Sequence, residues 1–320
     1  MPIPKFSNAW PFEERWVLDI LRWKIGLPPH EKAQMPDAPD GPADRILLSR
    51  ADIAVPLNTG WRVIWLGHAS FLLQGAGVSV LIDPIFSNHC SPVKMPSLRR
   101  LVSPPCALAD LPPIHTVLLT HTHYDHLDLS TLRALGPDVR LVVAEGHADW
   151  LRRAGFRDVA EVPWFGNHAL TPEIRVTATP AQHFTARTPW DRNCGHWCGW
   201  MIQEKDTTLW HAGDSAYCEG FREIGERFGP IDFGMIPIGA YQPRYIMRSM
   251  HMNPEEAVQV FKDTQCRRAV AMHWGTFRLT DEPMGEPPLR LAAAMEASQL
   301  ATNRFTAGAV GQSWLVNAES

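Results

Sequence analysis

The sequence lacks most of the features that would assign it quickly. No window of about 18 apolar residues occurs, so a bilayer-spanning helix is not expected. The first residues carry Lys5 but neither a long apolar core nor a small-residue cleavage site. That argues against a secretory leader and for a cytoplasmic protein. There is no basic excess. The formal net charge is -4, so a general nucleic-acid binder held by phosphate contacts is excluded. The six cysteines are scattered and form no disulfide framework. Cys194 and Cys198 lie close, but no second pair completes a structural zinc site, and both read as packing residues or free thiols. No unit of roughly 20 to 50 residues repeats.

What is present is an ordinary globular composition over 320 residues, with 13 tryptophans and with 28 prolines that mark frequent turns. Residues 1–45 read as an N-terminal extension and 46–320 as the main domain. Within the extension, 13–25 has helical spacing. Val17, Ile20, Leu21 and Ile25 share a face flanked by Trp16 and Trp23, which fits either a lipid surface or packing on the domain. Pro28-Pro29 ends that helix, and a Pro/Asp/Ala-rich arm follows. Beyond it, strands are expected at 62–66, 71–73, 78–82, 116–120, 141–144, 159–162, 174–179, 199–202, 208–212, 233–238 and 269–272. Helices are expected at 127–135, 147–154, 221–228, 254–263 (Asn253 as N-cap) and 289–297. The elements group into two similar halves, which predicts two packed sheets with helices outside.

The chemistry gathers at strand ends. The run 116–120 leads directly into His121, His123, Asp125 and His126. In extended backbone His121 and His123 point the same way and can grip one ion, while Asp125 and His126 reach a second. His183, Asp214 and His273 each close another predicted strand. The ligand count then allows two ions: His121, His123 and His183 on the first, Asp125, His126 and His273 on the second, and Asp214 between them. Imidazole and carboxylate suit zinc, with manganese or iron also compatible. Such a pair, about 3.5–4 Å apart, would hold a bridging hydroxide. Asp83, at the end of 78–82, fits either orientation of a metal-bound histidine or a turn cap. His68 fits either an active-site lining or a core histidine.

This pattern resembles the metallo-β-lactamase superfamily, and within it the N-acylphosphatidylethanolamine-hydrolysing phospholipase D family. The resemblance spans roughly residues 60–290. It is carried by the segments 66–69, 83–87, 121–128, 180–183, 212–214, 236–241, 253–257 and 273–277; Gly239-Ala240-Tyr241 and 273–277 are its more specific marks. It implies an α/β (α+β) fold, an αββα sandwich of two mixed sheets with helices outside. It implies two Zn2+ ions on the seven residues above, and phosphodiester hydrolysis that releases N-acylethanolamine and phosphatidic acid through the metal-bridging hydroxide. It further implies that Asp125 orients that hydroxide and that His251 lines the site and aids the leaving alkoxide. Tyr241, Gln242 and His68 are expected to contact substrate. Expected partners are a phospholipid substrate, a membrane surface touched peripherally and a second copy of the chain. Two alternatives stand beside this reading: a related hydrolase of a soluble phosphodiester or lactone, and a metal-binding scaffold without turnover.

Overall fold

The computed structural model describes residues 5–11, 17–27, 31 and 33–317. Of the expected 13–25 helix, α1 (Val17–Lys24) is described; residues 12–16 lie outside the described residues. Trp23 donates its indole N–H to Asp281, and Lys24 donates to the Leu279 carbonyl. Leu21 and Ile25 stay exposed. The helix is therefore tethered to the domain and still shows apolar side chains to solvent. The arm runs on to α2 (Arg50–Ile53), capped reciprocally by Ser49 and Asp52.

Period-2 patterning explains the first sheet. In β1 (Trp61–Gly67), Trp61, Val63 and Trp65 enter the central core while Ile64 and Leu66 enter a second apolar cluster on the other face. Both faces of this strand are buried, so it is apolar nearly throughout. β2 (Ser70–Gly75) and β3 (Val78–Ile82) continue as an antiparallel meander. β4 (Thr116–Leu119), α3 (Leu129–Leu135), β5 (Arg140–Ala144), α4 (Ala148–Arg153) and β6 (Val159–Val162) then add parallel strands with crossover helices.

The second half repeats this plan. β7 (Asn167–Ala169), β8 (Ile174–Thr179), β9 (Gly199–Glu204) and β10 (Thr207–His211) are antiparallel neighbours. Next come α5 (Gly220–Phe228), β11 (Phe233–Pro237), α6 (Arg244–Met247), α7 (Pro254–Asp263), β12 (Arg268–Met272), α8 (Glu286–Ala297) and β13 (Phe305–Ala307), with β10 to β13 parallel. β14 (Ser313–Val316) returns to pair with β1. Among the described residues the strands form two seven-stranded sheets, ordered β14-β1-β2-β3-β4-β5-β6 and β13-β12-β11-β10-β9-β8-β7. The central core lies between them, and residues of α5, α7 and α8 join it. This is the expected αββα sandwich.

The topology positions the site. β10, β11 and β12 run parallel, and two antiparallel pairings make β8 run the same way as β10. The C-terminal ends of β8, β10 and β12 therefore share one rim of the second sheet.

Candidate metal centre

Seven of the predicted residues meet at that rim. His121 and His123 follow β4 directly, and Asp125 and His126 occupy the turn before α3, whose N-cap is Asp128. His183, Asp214 and His273 follow β8, β10 and β12. One nitrogen triad is His121 Nε2, His123 Nδ1 and His183 Nε2, with separations of 2.9 Å between the first two and 3.2 Å between the last two. Lone pairs so close repel unless a proton or cation lies among them. Nitrogens bound about 2.0–2.1 Å from one tetrahedral ion sit about 3.3 Å apart, close to what is seen.

The second group is Asp125 Oδ2, His126 Nε2 and His273 Nε2, at 3.7 and 3.3 Å from the carboxylate oxygen. Asp214 Oδ2 lies between the groups, 3.0 Å from His273 and 3.1 Å from His126, and 3.8 and 4.0 Å from His183 and His121. His126 Nε2, His273 Nε2 and Asp214 Oδ1 are buried without hydrogen-bond partners among the described residues. Polar atoms packed at this density without hydrogen bonds are costly in a core unless protons or cations lie among them. The residues thus fit a pair of metal ions.

An outer layer aims the rings. Asp83 accepts from the Thr120 N–H and hydroxyl and from His126 Nδ1 at 2.7 Å, which turns His126 Nε2 to the centre. Asp83 therefore orients a histidine and is not merely a turn cap. His183 Nδ1 bonds the Met250 carbonyl, and His121 Nδ1 bonds Thr120 Oγ1. His68, Asp83 and His273 have φ of 52°, 42° and 62°, a left-handed region costly to such residues. The His68 and His273 loops hold each other: His273 N–H donates to the His68 carbonyl, and His68 N–H donates to Thr276 Oγ1.

Charge follows from this packing. Burial, with neighbouring imidazoles, pushes His121 well below 6.5, His123 down to about 3 and His183 down to about 4. These rings are neutral at pH 7, as ligands must be. Burial opposes ionisation of Asp125 and Asp214, yet the adjacent imidazoles, His126 foremost, hold both carboxyls well below the usual range. Burial also opposes protonation of His126 and His273, and the Asp214 and Asp125 carboxylates outweigh it. His126 stands well above 6.5 and His273 is raised to about 9.

His251 lies beside the centre, its Nδ1 4.0 Å from Asp214 Oδ2. All three expected substrate contacts, Tyr241, His68 and Gln242, are corrected, since each side chain is buried. Tyr241 is fully buried and donates its hydroxyl to Glu286, so it supports the loop from within. His68 is buried and bonds Asp125 through Nε2 at 2.9 Å, so it holds a carboxylate of the centre. Gln242 is 2% exposed and uses its N–H on Glu282. Sequence reading also missed two supports. The Glu282 carboxylate accepts the N–H groups of Ala240, Tyr241 and Gln242. Arg244 bonds the His251 carbonyl and the Glu256 carboxylate. Neither lies in a local pattern that names its target.

Fold and centre together define a metal-dependent hydrolase of the β-lactamase type. The chain belongs to this superfamily: the beta-lactamase superfamily domain matches residues 79–274. It is 33% identical over 271 residues to N-acyl-phosphatidylethanolamine-hydrolyzing phospholipase D 1 of Caenorhabditis elegans, covering 80% of this chain and 76% of that one. It is 29% identical to a UPF0173 metal-dependent hydrolase of Pyrobaculum calidifontis, covering 74% of this chain and 94% of that one. Other curated relatives are longer; the chain spans 64% of one and 51% of another. In fold it is similar to isothiocyanate hydrolase from Delia radicum gut bacteria, with TM-score 0.66 at 20% identity, covering 79% of this chain and 98% of that one.

Proposed function

We propose that the protein is a dizinc phosphodiesterase of phospholipase D type, acting on N-acylated ethanolamine phospholipids. The observation that carries this is the one face of the centre that reaches solvent. The Asp125 and His251 side chains keep 15% and 13% exposure and His123 is half-buried, whereas those of His121, His126, His183, Asp214 and His273 keep 1% or less. An anion entering there meets the site's cations first. Bound metal ions would polarise the phosphodiester oxygens and lower the pKa of a water.

The chain's own residues supply the rest. His68 holds Asp125, and Asp83 holds His126. Burial, with His183 and His273 beside it, keeps His251 well below 6.5, so it enters as neutral imidazole. An anionic phosphodiester beside it raises its proton affinity, so it can take the proton given up by the attacking water and pass it to the leaving alkoxide. The lipid assignment draws on the C. elegans relative and on α1. Trp23 ties that helix to Asp281, whose N–H bonds the carbonyl of Gln242, in the loop leading to His251. Leu21 and Ile25 are exposed on this tethered helix.

Similarity to the UPF0173 hydrolase favours a second reading, a soluble phosphodiester or lactone. Metal-loaded protein given N-acylphosphatidylethanolamine vesicles, a soluble aryl diester and a lactone separates the two. Release of N-acylethanolamine with phosphatidic acid is expected; turnover of the soluble compounds alone would establish the second reading.

A further inference from the structure

The seven proposed ligands all lie between residues 121 and 273. Besides His68 and Asp83, a contact to a ligand comes from the N-terminal extension. Asn8 meets His183 in a two-point bond: its Nδ2 donates to the His183 carbonyl at 2.9 Å, and His183 N–H donates to its Oδ1 at 3.0 Å. Because one partner is a donor and the other an acceptor, only one orientation of the amide satisfies both. An aspartate, which has no side-chain N–H, cannot reproduce the pair. The flanking residues show a seated segment. Gln182, beside the ligand, donates Nε2 to the Pro11 carbonyl, and Phe6 N–H donates to the Asn193 carbonyl. Phe6 stacks on His196 with ring centroids 4.8 Å apart. Trp10 packs its six-membered ring against Gly220, where an added Cβ would collide with it.

His183 sits in a loop four residues beyond β8; Gln182 before it bridges Ala216, but the N–H and carbonyl of His183 itself are both answered by Asn8. Its ring is aimed by Nδ1 on the Met250 carbonyl, which fixes rotation but not the position of the Cα. Asn8 and Met250 together fix both. We infer that residues 5–11 form a strap that completes the metal centre, with Asn8 as the positioning residue for the third nitrogen of the His121–His123–His183 triad. The inference rests on the metal-centre reading and is independent of the substrate.

The test measures metal on the full-length protein, with Zn2+ as the probe against a chromogenic chelator and Co2+ for the visible spectrum. Outer partners of metal ligands are worth about 10- to 100-fold in affinity. Asn8→Ala is expected to weaken one of two Zn2+ ions about tenfold and to alter the Co2+ bands of that site. Asn8→Asp keeps the acceptor but sets a carboxylate against the His183 carbonyl, and is expected to weaken the same ion at least as much. A purely structural strap would lower Tm equally with and without metal. A positioning role instead shrinks the rise in Tm that Zn2+ produces, by the equivalent of about 1.4 kcal/mol for a tenfold loss. Wild-type affinity for both ions in either variant overturns the inference, whatever happens to Tm. If Asn8→Ala does not fold, Asn8→Asp decides alone. A wild-type protein that takes up fewer than two ions would instead count against the metal-centre reading.

Discussion

Charge is not shared evenly by the residues of the centre, and this can be measured. Asp214 faces both groups, whereas His123 touches one. Asp214→Ala is therefore expected to lose both ions and all turnover. His123→Ala should lose one ion and turnover with it. Elemental analysis after gel filtration, with an activity assay, checks both; full activity in either variant would contradict the assignment. His273 gives a pH dependence. Its folded value, about 9, lies above its ordinary 6.5. Without metal, its contribution to stability is thus fully present below pH 6.5 and is lost as pH rises through about 9. Metal must displace that proton, so affinity should rise with pH across the same window. Calorimetry of Zn2+ binding at pH 7 in buffers of different ionisation enthalpy should detect proton release; equal heats in all buffers would refute it. The ligand residues were legible in the sequence because their types are rare in such density at strand ends. The directions of Tyr241 and His68 were not, since packing alone decides which way a side chain beside a site turns.

At the scale of elements, the segment from β11 to α7 carries the most support. Glu282 answers three backbone N–H groups in one loop, and Asn253 and Glu256 cap α7 reciprocally. Glu282→Gln replaces one acceptor oxygen by a donor and leaves a buried N–H unanswered. It is expected to cost about 1–3 kcal/mol in urea unfolding. An unchanged midpoint would show that the loop repacks without it. Most strands were readable from period-2 alternation, as in β1 and β3. Helix α7 was readable from Asn253 and its acidic first turn. β7, β13 and β14 were not expected, for they are three or four residues long and owe their pairing to distant partners.

For the whole molecule, the question is how the N-terminal extension relates to the domain. It is bound at Asn8, Trp10 and Trp23, and Glu31 caps α6 by accepting the N–H groups of Arg244 and Tyr245. Among the described residues no helix is long and apolar enough to cross a membrane. The exposed Leu21 and Ile25 of α1 are where the proposed lipid contact can be tested. Leu21→Asp with Ile25→Asp should raise KM for vesicle-borne substrate several-fold while leaving KM for a soluble diester unchanged. Equal effects on both substrates, or none on the vesicle, would remove the membrane role.

Local sequence determined the sandwich and the cluster of candidate metal ligands, because hydrophobic period and ligand spacing act over a few residues and survive without knowledge of distant contacts. Tertiary structure alone decided that Asn8 lies against His183, that β14 closes the first sheet on β1, and that Tyr241 turns inward. Each joins parts of the chain far apart in sequence, and only packing, which no short stretch encodes, brings such groups within hydrogen-bond distance.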